Sequence, residues 1–290
     1  MSRPVEQGNA VEFRTARRLD VLIPTRNRAA ELAVTLSGLA AQSGPADFGV
    51  VVSDQSDGEP GWSVPAVATM VRVLRHRGHP VLLTRRLPRR GLAEHRAFLL
   101  GQSLARYVLC VDDDVWLEPG AVDRMMTAIT ELGCGFVGNA VHGLSYLTDR
   151  RPEVHGHYAE WDGPPVPERI RPGTPAWERA RIHPAANLLH ITERLRLAPD
   201  EWRAYKVSWI GGCVLYDRAK LVDAGAFDFW PEVGDRHQGE DVAAQLAVLE
   251  RYGGAGIVPS GAYHLETPTT VTDRDVEAWE ILLNNPVSFG

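Results

Sequence analysis

Three consecutive aspartates, Asp112, Asp113 and Asp114, follow the apolar run from Tyr107 to Val111. Three like charges where a buried strand emerges need a cation to neutralise them. Carboxylates at i and i+2 on a strand end point to the same side. Hard divalent ions such as Mg2+ and Mn2+ take oxygen ligands and complete their shell with phosphate oxygens and water. The chemistry implied is a metal-held diphosphate. The competing reading has Asp113 or Asp114 capping a helix announced by Glu118, Pro119 and Gly120. A cap uses one aspartate and leaves two without a role.

Such a cluster needs a strand to deliver it. Leu19 to Pro24 is a short apolar run closed by Pro24-Thr25-Arg26-Asn27-Arg28, and helical spacing follows through Leu32, Leu36 and Leu39. The pattern recurs. Phe48 to Val52 ends at Ser53-Asp54-Gln55-Ser56-Asp57-Gly58, and Val81 to Thr84 ends at an arginine-rich loop before helix-like Leu92 to Leu104. Tyr107 to Val111 ends at the aspartates before a helix near Ala121 to Leu132. These β-then-α units predict an α/β fold whose mostly parallel central sheet is covered by helices on both faces. In such sheets ligands bind beyond the carboxyl ends of the strands. Asp54, the Arg85-Arg86 to Arg90 loop and the aspartate triplet would then share one edge.

From about Val141 to Tyr205 the pattern breaks into a stretch rich in Pro, Trp, Arg and His, read as an irregular lid or acceptor-side insertion. Order returns at Val207 to Tyr216, read as a strand whose Gly211-Gly212 pair admits close approach of backbone or ligand. A helix is expected after Gly239-Glu240-Asp241, ending at Gly253-Gly254, and Ile257-Val258 reads as a last strand leading to His264. The division expected is a tail at 1–18, a nucleotide-sugar-binding half at 19–140, the insertion at 141–205, a catalytic and acceptor half at 206–270, and a tail at 271–290.

The chain has 290 residues, 44% of them hydrophobic, which suffices for a sizeable core. Thirty-one basic against 37 acidic side chains give a formal charge of -6, which offers nucleic acid no overall basic field. Three widely spaced cysteines in apolar sequence, Cys110, Cys134 and Cys213, fit reduced core thiols and hence a cytoplasmic protein. No signal-peptide pattern opens the chain, and no run of about 18 uncharged apolar residues could span a membrane. Arg85, Arg86, Arg89 and Arg90 leave open a peripheral contact with anionic lipid at the inner membrane face.

Taken in order, the Ile23-Pro24-Thr25-Arg26-Asn27-Arg28 opening, Asp54, the Gly91 to Arg96 segment, the triplet, Gly211-Gly212, Gly239-Glu240-Asp241 and His264 resemble the GT-A fold glycosyltransferases of family 2. The likeness covers roughly 19–140 and 206–264. It implies a Rossmann-like sheet and inverting transfer of a sugar from a nucleoside diphosphate donor. It implies donor contacts from Pro24, Thr25, Arg28, Asp54, Arg96, Asp112 and Asp113, with Asp54 on the base. For Asp54 an Asx turn is the alternative, favoured by Ser56-Asp57-Gly58; for Arg96, a helix surface. Arg96 precedes Ala97 where the family carries asparagine.

The Asp-x-Asp motif is met by Asp112 and Asp114, so the resemblance implies Asp114, Asp112 and the late His264 as ligands of Mn2+ or Mg2+, a Lewis acid for the departing diphosphate. A one-residue shift would bring Asp113 in. Asp241 would be the general base and Glu240 would help to position it or the acceptor. Trp202, Trp209, Gly211 and Gly212 are expected on the acceptor side, the tryptophans stacking on a sugar or else packing in the core.

UDP is favoured over GDP and dTDP as the donor nucleotide. The chain lacks the Gln-x-x-Arg-Trp motif of processive synthases, so single-sugar transfer is expected. The composition suggests a bacterial source, with a cell-envelope glycan, a glycolipid or a secondary metabolite as the hydroxyl acceptor. Two rivals stand beside this: a sugar-phosphate nucleotidylyltransferase, which would want a glycine-rich, lysine-bearing first loop, and a catalytically silent sugar-nucleotide-binding module.

Overall fold

The computed structural model describes residues 17–44, 47–269 and 275–284. An eight-stranded sheet runs β3-β2-β1-β4-β9-β6-β11-β8. Its strands are β1 (Leu19–Thr25), β2 (Phe48–Asp54), β3 (Val81–Arg85), β4 (Tyr107–Val111), β6 (Phe136–Gly138), β8 (Arg203–Tyr205), β9 (Cys213–Asp217) and β11 (Gly254–Val258). Only β9 and β8 run against the others. A small sheet joins β5 (Val115–Leu117), β12 (Ala262–His264) and β7 (Val141–Gly143), and β10 (His237–Gln238) pairs with β13 (Val276–Glu277). Of the tails expected at 1–18 and 271–290, only 17–18 and 275–284 are among the described residues.

Side-chain alternation splits each central strand between two cores. Leu19, Val21 and Ile23 of β1, with Tyr107, Leu109 and Val111 of β4, face the core beneath α1 (Ala29–Ala40), α2 (Pro65–His76) and α4 (Ala121–Leu132). Leu22, Val108 and Cys110 face the opposite core, covered by α3 (Gly91–Gly101), α5 (Asn187–Leu195), α6 (Arg218–Asp223) and α8 (Glu240–Tyr252). Strands buried on both faces have no polar alternation to show, which is why they read as continuous apolar runs. Two further helices, α7 (Trp230–Val233) and α9 (Ala278–Asn284), pack with Ala93 and Ala243 in a third, smaller cluster. No helix among the described residues is long and apolar enough to cross a membrane.

Parallel register brings the chemical loops to one edge: Thr25 lies beside Asp54, and Leu22 beside Cys110 two residues before the triplet. The chain leaves the triplet into β5, not into a helix, and Gly120 at φ +87° stands before α4. Helix capping by Asp113 or Asp114 is thereby excluded. The small sheet sets His264 opposite Val115, and the Leu265 amide donates to the Asp114 carbonyl at 2.9 Å. The strand expected at 207–216 is shorter than its sequence suggested. Residues 207–212 approach the sheet as a loop, with Gly212 at φ +79°, a left-handed turn in which a Cβ would meet Val141 at 2.8 Å.

Candidate active site

A cleft of about 600 Å³ opens at the carboxyl edge of the sheet, lined by the 24–28 loop, the start of α3, the aspartate triplet, His264 and the 235–237 loop. On one wall Asp113 is buried. Thr25 Oγ1 donates to its Oδ2 at 2.6 Å, Arg28 Nη1 donates to its Oδ1 at 3.1 Å, and Thr35 Oγ1 donates to its carbonyl at 2.7 Å. Burial pushes the Asp113 carboxyl up to about 7, against the lowering by Thr25 and Arg28. Asp114 Oδ2 accepts from the same Arg28 Nη1 at 2.5 Å and lies 3.5 Å from His264 Nε2. The Glu266 amide donates to His264 Nδ1 at 2.7 Å and so orients the ring. Arg28 Nη2 reaches the Pro268 carbonyl.

Asp112 belongs to a different constellation. Its Oδ1 accepts from Arg96 Nη2 at 2.8 Å, while Arg96 Nε donates to Glu240 Oε1 at 2.8 Å. Arg96 is buried and its guanidinium is engaged by two carboxylates, so it ties the triplet to the first turn of α8 and does not line the cleft. Glu240 is buried with it, whereas its neighbour Asp241 is only half-buried. A Cβ on Gly211 would lie 3.7 Å from Asp241 Oδ2, and one on Gly212 would lie 3.6 Å from Asp112 Oδ2. The Gly-Gly backbone thus runs between Asp112 at the cleft edge and Asp241, which is not part of the cleft lining. Burial first, and the Glu240 charge second, raise the Asp241 carboxyl to about 7, opposed by Arg96.

No three His, Cys, Asp or Glu side chains among the described residues gather as a metal-ligating group. Of the expected trio, Asp114 and His264 stand together, while Asp112 lines the same cleft with its Oδ1 on Arg96. Asp114 and His264 converge on their own. Two protein ligands with a diphosphate and water completing the shell suit Mg2+ or Mn2+, which are commonly held by one or two protein ligands and substrate phosphates.

Asp54 is turned away from the cleft. It is fully buried, with Oδ1 accepting from the Ser56 amide at 2.5 Å and Oδ2 from the Gly61 amide at 2.6 Å. The Asx turn weighed for it is what forms, and Gln55, one residue on, lines the cleft in its place. Pro24 lines the cleft as well. Trp202 is half-buried and packs against the first core beside the edge strand β8. Trp209 packs on Trp177 with ring centroids 4.6 Å apart, and Trp177 on Trp279 at 4.8 Å.

Two residues outside the expected site residues hold its backbone in place. Gln245, fully buried, accepts from the Ile210 amide and donates to the Ile210 carbonyl, both at 2.8 Å, and so pins the backbone just before Gly211. His237 Nε2 accepts from the Ala93 amide at 2.9 Å and its Nδ1 meets the Gly234 carbonyl at 3.0 Å, docking the 234–239 loop on the start of α3. Gly91, at φ +86°, is needed there, since a Cβ would meet the His237 ring at 2.5 Å. For Gln245 the only sequence signal was a polar residue inside an otherwise apolar helix stretch, whereas His237 falls in the 235–238 loop whose sequence suggests closure over the donor.

The family model for glycosyl transferase family 2 matches residues 20–184. Among solved structures, S. aureus TarS 1–349 in complex with UDP-GlcNAc is similar over 93% of this chain and 66% of that one, at 18% identity and a TM-score of 0.56. The crystal structure of S. aureus TarS is similar over 87% of this chain and 37% of that one, at 17% identity and a TM-score of 0.51. This chain thus spans less than two thirds of the length of either. At such identities the likeness is one of fold. No curated protein matches the sequence.

Proposed function

The chain belongs to glycosyl transferase family 2 and is a glycosyltransferase; from that premise we propose that it moves a single sugar from a nucleoside diphosphate donor to a hydroxyl acceptor with inversion. The observation that carries the reading is the separation of two acidic centres about one glycine pair. Asp114 and His264 stand in the cleft, and Asp241 lies outside its lining, beside Gly211. Inversion sets the attacking oxygen and the leaving diphosphate on opposite sides of the anomeric carbon, and in this reading Asp241 serves the first and the pair of Asp114 and His264 the second. The nucleotidylyltransferase reading falls with family membership.

In this mechanism the 24–28 loop and Gln55 hold the nucleoside diphosphate, and Thr25 and Thr35 fix the Asp113 backbone and carboxylate from which Asp114 projects. Asp114 and His264 would hold a divalent ion, which would supply Lewis-acid neutralisation of the leaving diphosphate. The acceptor hydroxyl attacks the anomeric carbon as its bond to the diphosphate oxygen breaks. Asp241 accepts the hydroxyl proton on Oδ2, and a carboxyl raised to about 7 is well matched to that task near neutral pH. Arg96 and Glu240 position rather than react. They hold the base helix and Asp112 at a fixed spacing through one guanidinium.

A nucleotide-sugar donor has further support in the UDP-GlcNAc bound by the TarS fragment of similar fold. Among hydroxyl acceptors, a cell-envelope glycan, a glycolipid and a secondary metabolite all suit the open acceptor side. The test is calorimetric titration of UDP, GDP and dTDP with and without Mn2+ into the wild type, Asp114→Ala and Asp241→Asn. Metal-dependent binding of one nucleotide, lost in Asp114→Ala and kept in Asp241→Asn, with transfer absent in the latter, is the expected result. Transfer that survives in Asp241→Asn overturns the assignment of the base, and absence of any nucleotide binding overturns the donor class.

A further inference from the structure

Arg28, in the loop proposed to hold the diphosphate, already engages Asp113, Asp114 and Pro268. Its Nη1 lies 3.1 Å from Asp113 Oδ1 and 2.5 Å from Asp114 Oδ2, and its Nη2 holds the Pro268 carbonyl. The Asp114 oxygen it occupies is also the one that faces His264 Nε2 at 3.5 Å. We propose that Arg28 is a resident counter-cation that competes with the divalent metal for Asp114, so that the metal enters fully only when a diphosphate offers Arg28 another anion. The proposal rests on the reading of Asp114 and His264 as the metal-holding pair.

Asp113 and Asp114 are both buried, with side chains 8% and 7% exposed, and two adjacent carboxylates in that setting cannot stay ionised without a positive neighbour. Arg28, 10% exposed at its side chain, is that neighbour. A metal ion arriving at Asp114 meets a site already neutralised and must break a charge-assisted hydrogen bond to enter. A guanidinium released from Asp114 stays tethered on the 24–28 loop at the cleft wall, where a diphosphate would meet its planar donor fork. Because Nη2 holds Pro268, the same release frees one anchor of the segment after His264 that carries Thr267 and Thr269 along the cleft. Metal, diphosphate and that segment are thereby linked through one side chain.

The experiment is titration of Mn2+ alone, without nucleotide, into the wild type, Arg28→Gln, Arg28→Lys and Arg28→Gln/Asp114→Asn, followed by calorimetry or by the loss of free-ion electron paramagnetic signal. Thermal unfolding of each variant establishes that it is folded. Removing a charge-assisted bond of roughly 1.5–3 kcal/mol from the competing state tightens Mn2+ by about tenfold or more in Arg28→Gln. Arg28→Lys, which keeps the charge, stays nearer to wild type, and the double variant loses the site. A side chain that merely supported the fold would weaken metal binding when removed. Equal or weaker Mn2+ binding in Arg28→Gln than in wild type overturns this proposal alone, as does binding that survives in the double variant. Absence of Mn2+ binding from every protein overturns the metal-holding pair and this inference together.

Discussion

A carboxyl raised to about 7 by burial and by the neighbouring Glu240 charge changes ionisation within the neutral range, so a rate that depends on Asp241 as base must change with it. Below the raised value the group is protonated and cannot accept the acceptor's proton. The pH profile of kcat/KM should therefore rise about tenfold per unit up to pH 7 and level above it. Arg96→Gln removes the charge that opposes the rise and moves this limb to higher pH. A limb that stays near pH 4 in wild type would take the proton-accepting role from Asp241. Asp54 carries the contrary expectation, one of stability. With its two oxygens on the Ser56 and Gly61 amides, Asp54→Asn sets an NH2 against a backbone N–H and costs about 1.5–3 kcal/mol in urea unfolding. Nucleotide affinity should follow only the loss of folded protein, and a selective loss of affinity in a fully stable variant would contradict this. The turn itself was legible in Ser56-Asp57-Gly58. Its second anchor was not, because the Gly61 amide lies seven residues away and is presented by a short 3-10 turn at Gly61–Ser63.

At the scale of elements, legibility followed burial. The strands β1, β2 and β4 are enclosed on both faces and show themselves as unbroken apolar runs. The small sheet of β5, β7 and β12 was invisible, because three-residue strands hold no periodic signal, although it is what brings His264 to Asp114. The stretch from Val207 to Tyr216 misled for a different reason. Its first half is as apolar as a strand, but the partner of Ile210 is the side chain of Gln245 on α8 rather than a neighbouring strand. Nothing in the local pattern announces a helix glutamine standing in for a β ladder. Gln245→Leu leaves the Ile210 amide and carbonyl unpaired in a buried site, at about 1–3 kcal/mol for each group. It also loosens the backbone that sets Gly211 beside Asp241. Hydrogen exchange at Ile210 through Cys213 should accelerate in this variant, with kcat falling more than nucleotide affinity. Unchanged exchange across that segment would mean the glutamine is not what holds it.

Across the whole molecule the buried titratable groups fall into two sets with opposite responses to acid, and their places in the chain decide which region yields first. Burial lowers His142 to about 4 and His183 to about 3, each further depressed by a neighbouring histidine, and burial first, then mainly Arg194 and His190, lower His155 against the pull of Glu153. A histidine lowered in the fold leaves stability intact above its ordinary value near 6.5 and withdraws it as pH falls toward the lowered value, because the unfolded chain takes up the proton first. The raised carboxyls act the other way. Asp113 and Asp241, at about 7, bind protons in the folded state while the unfolded chain does not, so between pH 7 and 4 acid stabilises the regions that hold them. Those carboxyls lie at the sheet edge and the start of α8, whereas the three histidines lie between residues 141 and 195, around β7 and α5. His95, lowered to about 3 on α3, is the exception that also burdens the sheet side. Around the cleft two raised carboxyls outweigh one lowered histidine, whereas residues 141–195 carry the histidine losses without such compensation. Acidification from pH 7 to 4.5 should therefore raise hydrogen exchange first in peptides from 141 to 195, while β1 and β4 keep their protection. His142→Gln together with His183→Gln should flatten that response. Simultaneous loss of protection in the insertion and the central strands would show that the histidines are coupled to global unfolding and not to a separable lobe.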